Sequence, residues 1–122
     1  MGEFSLVNHL RDVVGDDVRM VLVYGEREYE DAFLRDDISE EYTEADLEGL
    51  RREIIVFGLG KNRVGDVTHV GELRHIIYDT EDALSVQLLL GKHEGVFVSV
   101  DNEREAELFD VIEATRGWID EQ

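Results

Sequence analysis

Three strand-like runs follow one another almost without interruption in the second half of the chain, at 72–78, 84–90 and 96–100. Only Asp79-Thr80-Glu81-Asp82 and Gly91-Lys92-His93-Glu94-Gly95 join them. Links this short cannot carry a crossover, so successive runs must be antiparallel neighbours in a meander. That constraint commits the chain to a sheet, and the rest of the sequence must supply its cover.

The cover is legible as helical periodicity. Phe4, Leu6, Val7, Leu10, Val13 and Val14 recur at i, i+3 and i+4 spacing, which predicts an amphipathic helix over 3–14. Gly15 follows where a left-handed C-terminal residue costs least. Residues 18–24 are almost all apolar, broken only by Arg19, as in a central strand buried on both faces. Gly25-Glu26-Arg27 is read as a turn. Tyr29, Ala32, Phe33 and Leu34 form a second, more polar strand at an edge, ended by Asp36-Asp37. Thr43 with Asp46 three residues on is a capping box. It opens a helix over 43–57 whose stripe is Leu47, Leu50, Ile54 and Phe57, stopped by Gly58 or Gly60. The stretch 58–71 is read as a glycine-punctuated loop. Asn102 and Glu105 suggest another capping box before a last helix containing Leu108, Phe109, Val111, Ile112, Trp118 and Ile119. The order is α-β-β-α-β-β-β-α, an α+β single domain over 1–122: a five-stranded antiparallel sheet with helices on both faces.

Composition sets the environment. Thirty acidic residues face twelve basic ones, a net charge of −18 that would oppose compaction in dilute salt. Only Lys61 and Lys92 are lysines; the other ten basic residues are arginines, whose planar fork pairs bidentately with carboxylates. An acid-rich, lysine-poor, cysteine-free chain resembles the cytosolic proteins of extremely halophilic archaea. Without cysteine there are no disulfides, zinc-thiolate sites or thiol catalysis. No apolar run approaches the about 20 residues of a membrane span, and residues 1–10 lack the layout of a signal peptide. A cytoplasmic location is expected.

Two strings, Phe33-Leu34-Arg35-Asp36-Asp37 and Glu94-Gly95-Val96-Phe97-Val98, are similar to those of an uncharacterised family of short haloarchaeal proteins, a domain of unknown function. The element order resembles the roadblock/longin branch of the profilin-like folds. That resemblance implies the spatial strand order 2-1-5-4-3, with the first and last helices on one face and the middle helix on the other. It also implies a non-enzymatic dimer that binds small GTPases or scaffolds complexes, by fold analogy alone.

No motif carries chemistry. Gly58-Leu59-Gly60-Lys61 lacks the spacing of a phosphate loop and the Ser or Thr after the lysine, and it is read as following a helix instead of opening one. His9, His69, His75 and His93 fall in different elements without the i, i+4 spacing of a metal motif. Carboxylate pairs such as Asp36-Asp37 and Glu40-Glu41 are uninformative among thirty acids. Ser5, Ser39, Ser85 and Ser99 have no nucleophile-elbow context. Arg51, Arg52, Lys61 and Arg63 make an island too small for nucleic acid, which usually meets a longer basic stripe. No catalytic, cofactor or metal site and no membrane or nucleic-acid partner is therefore expected.

The expectation is a non-catalytic interaction, adaptor or regulatory module, self-associating as a homodimer. Its interface would use the edge run 72–78 and the apolar surplus of helix 43–57, with Arg51, Ile55, Leu73, Arg74 and Ile76 in contact. The alternative is a small-ligand-sensing α/β domain, favoured if 58–71 folds over a concave apolar pocket.

Overall fold

The computed structural model describes residues 3–25, 29–91 and 93–122. The elements are α1 (Glu3–Val14), β1 (Val18–Tyr24), β2 (Tyr29–Leu34), α2 (Asp36–Glu41), α3 (Glu44–Gly58), α4 (Lys61–Thr68), β3 (His75–Asp79), β4 (Ala83–Leu89), β5 (Gly95–Asp101) and α5 (Leu108–Asp120). Short 3-10 turns at Gly15–Asp17 and Asn102–Glu107 lead into β1 and α5. The five strands form one antiparallel sheet in the order β2-β1-β5-β4-β3. The architecture is α+β, as the patterning predicts.

Burial follows the period-2 alternation of the strands. Val21, Val86 and Val98 stand in register across β1, β4 and β5, all facing α1 and α5. Leu6, Leu10, Val14, Val111, Ile112 and Trp118 cover that face. Each aliphatic side chain among them contributes roughly 1.5–3 kcal/mol on burial. Met20, Leu22, Tyr24 and Phe97 look the other way, toward Ile38 of α2 and Leu47 and Ile54 of α3. Phe4 and Phe109, placed in apolar stripes by spacing, are instead exposed in the first turns of α1 and α5.

Several boundaries differ from expectation, each for a local reason. The second strand ends at Leu34, and Asp36-Asp37 open α2, where acids complement the helix dipole. The stretch 58–71 is not all loop, because it contains α4. Gly65, which reads as a breaker, sits so close to the Gly71 carbonyl that a Cβ would collide with it. Gly71 itself has φ +93, a conformation side chains rarely adopt. This turn delays the third strand to His75, so Glu72, Leu73 and Arg74 precede it, although the Arg74 carbonyl still accepts from the Leu89 N–H at 3.0 Å. The Asn102–Glu105 capping box does not form. The Asn102 amide donates to the Glu81 carbonyl, and the chain takes a 3-10 turn instead. Thr43 and Asp46 do make the predicted capping box at 3.1 and 2.9 Å. Gly15 has φ +59. The turn expected at Gly25-Glu26-Arg27 lies, after Gly25, outside the described residues.

Candidate interaction surface

At one end of the sheet Arg35 acts as a clamp. Its guanidinium meets Asp101 at 2.8 and 3.0 Å and Asp37 at 2.7 and 3.0 Å, and also donates to the Asp16 carbonyl at 3.1 Å. Paired, charge-assisted bonds of this kind hold geometry well. Arg104 holds Asp17 at 2.6 Å beside it. The hydrogen bond from Arg104 keeps the Asp17 carboxyl below its ordinary range, and that from Arg35 does the same for Asp37. Asp36-Asp37 thus serve a helix start and an ion cluster that ties the ends of β1, β2 and β5.

The middle of the sheet carries a second polar group. Gln87 is 0% exposed; its Nε2 donates to the Tyr24 hydroxyl at 2.6 Å and the Ile54 carbonyl at 2.7 Å, and its Oε1 accepts from Tyr78 at 2.5 Å. Burial pushes the Tyr24 hydroxyl up, and the Tyr78 hydroxyl up to about 12. Below Tyr24, Gly95 leaves no room for a Cβ against the Leu88 carbonyl and the tyrosine ring. His75 faces α5, where its Nδ1 lies 2.8 Å from Arg116 Nη2. Arginine only donates, so Nδ1 is the acceptor and the imidazole is neutral. Burial, then the charges of Arg116 and Arg74, hold its pKa below the usual histidine value.

Arg51, on α3, is bonded to Glu48 at 3.1 Å and to the Gly25 carbonyl at 3.3 Å. Ile55 is half-buried against the Met20–Phe97 core. Leu73 is half-buried ahead of β3, and Arg74 is exposed. Ile76 stands in register with Gln87, half-buried. The apolar groups left outside are their neighbours. Val56 is 61% exposed, Phe57 54% and Ile77 41%. Phe57 packs edge-on to Tyr78 with ring centroids 5.9 Å apart, which joins the end of α3 to β3. Val64 and Val67 of α4 and Val70 beyond it are exposed as well. Their i, i+3 spacing is the signal that marks a helix face, masked in the sequence by the surrounding glycines.

Among the described residues β3 pairs only with β4, so its outer edge is unpaired. The hollow beside stretch 58–71 is lined by Gly65, Asp66, His69, Gly71 and Glu72. Gly58-Leu59-Gly60-Lys61 joins two helices and so also opens α4, a correction to its reading as a helix end alone. The described residues contain no group of three or more His, Asp or Glu able to hold a metal ion. No helix among them is long and apolar enough to cross a membrane.

A search of curated proteins finds no match to the chain. A family model does match, over residues 5–120, and takes in both the Arg35 clamp and the β3 edge. By that match the chain belongs to the family described as a domain of unknown function, DUF7522.

Proposed function

We propose that this domain is a non-catalytic interaction module, acting as an adaptor or regulator through a homodimer. The observation that carries the reading is the unpaired β3 edge flanked by exposed Ile77, Phe57 and Val56. An edge with free N–H and C=O groups is ordinarily blunted by charge, a bulge or a cover. Here the charges lie at the ends, in Arg74 and Asp79, and the centre is Ile76-Ile77. A two-fold axis beside β3 would set the strand antiparallel to its copy and bury both surpluses at once.

The strand order β2-β1-β5-β4-β3, with α1 and α5 on one face and α3 on the other, supports kinship with roadblock-like dimers. By that analogy a small GTPase is the class of outside partner to try first. The net charge of −18 with ten arginines and two lysines supports a salt-rich, haloarchaeal cytoplasm as the setting.

Light scattering in molar KCl tests the assembly. The expected mass is two chains, falling to one for Ile77→Glu and for Phe57→Glu, whose exposed side chains leave the core intact. A wild-type mass of one chain at tens of micromolar, where a dimer of nanomolar to micromolar affinity would persist, ends the proposal. A dimer unaffected by both substitutions removes β3 from it.

A further inference from the structure

On the α3 face, near the start of β1, a cleft of about 170 Å³ opens between sheet and helix. Its floor is polar. Arg19 Nη1 donates to Ser99 Oγ at 2.8 Å, and the Ser85 and Ser99 hydroxyls share one hydrogen bond at 3.0 Å. These groups come from three adjacent strands and are withdrawn from solvent: Ser99 is 1% exposed, and the Arg19 side chain 14%. Its walls are apolar, chiefly Met20, Leu50 and Phe97. Outward the cleft continues, past Arg19 and Tyr42, into a wider hollow rimmed by Glu41, Glu81 and Asp82.

The floor has bonding capacity that the protein leaves unused. The arginine guanidinium carries five N–H donors, and among the described residues that of Arg19 makes a single hydrogen bond. Its nearest carboxylate, Asp101, is 4.0 Å away and already gripped by both terminal nitrogens of Arg35. The two serine hydroxyls have two protons and one mutual bond, which leaves one proton without an acceptor among the described residues. An open guanidinium beside a buried hydroxyl proton can take an acceptor from outside.

Size and charge narrow that acceptor. About 170 Å³ equals roughly six water volumes, below the 300–1,000 Å³ typical of drug-sized ligands, so the inner cleft admits only a small group. A simple anion would suit Arg19 but must pass three rim carboxylates on a chain of net charge −18. A simple cation would suit the rim but not the guanidinium floor. We propose that the cleft binds a small zwitterion of the amino-acid class. Its carboxylate bonds Arg19 and the Ser85–Ser99 pair, its ammonium faces Glu41 and Asp82, and a compact apolar group lies against Met20, Leu50 and Phe97.

The test is a backbone amide NMR titration of the whole chain in molar KCl with each of the standard amino acids singly. The best binder is then compared with its analogues lacking the amino or the carboxylate group. The expected result is saturable shifts centred on Arg19, Ser85 and Ser99, with both analogues weaker by about tenfold or more, the size of one charged hydrogen bond. Arg19→Gln should weaken binding to the same degree. Ser85→Ala, a smaller change to the same floor, should weaken it measurably while Ile77→Glu leaves it intact. No saturable shift with any amino acid overturns the assignment. So do analogues that bind equally well, or binding that survives both floor substitutions.

Discussion

Replacing Gln87 by methionine keeps the volume and unbranched shape of the side chain but removes its polar end. Three hydrogen bonds are lost, each with a net worth of about 1 kcal/mol. The Ile54 carbonyl keeps its helical partner in α3, whereas the buried Tyr24 hydroxyl and the half-buried Tyr78 hydroxyl lose Gln87 as partner. Stranding such groups costs about 1–3 kcal/mol each when no water replaces the partner. Gln87→Met should therefore destabilise the fold by roughly 3 kcal/mol, and by no more than about 5. For a chain of this size that lowers Tm by about 10 °C. Tyr78→Phe alone should cost about 1–2 kcal/mol, because it strands Gln87 Oε1. The double variant should cost about 1 kcal/mol less than the two single changes together, since neither partner of that bond is then orphaned. Urea denaturation in molar KCl, followed by Trp118 fluorescence, reads all four forms; guanidinium chloride would itself alter the screening. Stability of Gln87→Met within about 0.5 kcal/mol of wild type, the range of ordinary surface changes, would refute the role given to this network. Strict additivity in the double variant would refute the pairing of Tyr78 with Gln87.

Salt and acid should act through different groups. Circular dichroism melts should show the fold intact at molar KCl and weakened at low salt, as the screening length grows from about 3 Å at 1 M to about 30 Å at 0.01 M; an unchanged melting temperature would detach the net charge of −18 from salt adaptation. His75, Asp17 and Asp37 all have folded pKa values below their unfolded ones, so the unfolded chain binds more protons and stability drops as the pH is lowered. The His75 contribution is present above about pH 6.5 and is lost as pH falls through its lower folded value; the aspartates follow below about pH 4. His75→Gln should flatten the upper part of a melting-temperature profile taken at constant KCl, and an unaltered slope between pH 7 and 5 would contradict the neutral imidazole against Arg116.

The elements that could be read directly were those whose apolar period and punctuation agree. Helix α1 stops before Gly15 and β1 is an apolar run interrupted only by Arg19, so both are legible from sequence. The element α4 is not, because Gly60 and Gly65 signal a break locally. Gly65 is there for a tertiary reason, the approach of the Gly71 carbonyl. Asn102 misled in the same way, since its amide is drawn off by the Glu81 carbonyl on another link. At the candidate surface, Ile76 and Ile55 were marked by hydrophobic surplus alone. The facing of β3 and the lean of α3 decide which neighbours remain outside, and neither is a property of a single segment. The Arg19 cleft was harder still. Its polar floor is one residue from each of three strands, and it exists only once β1, β5 and β4 are in register.

The two sides of the sheet are glued differently. Aliphatic packing seals α1 and α5 to the strands, and Thr115 there bonds within its own helix, to the Val111 carbonyl. On the α3 side a smaller apolar cluster around Met20, Leu22, Phe97 and Ile54 shares the work with a glutamine, two tyrosines and a cleft that leaves donors idle. Opening a face sealed by few apolar contacts costs less than global unfolding. The α3 cover is therefore the cheaper one to lift, a hatch beside an opposite layer that keeps the strands in register. The idle arginine, the exposed phenylalanine and the bare strand edge all lie along that hatch. A molecule that settles there meets the most yielding part of the domain and gains affinity by holding it shut.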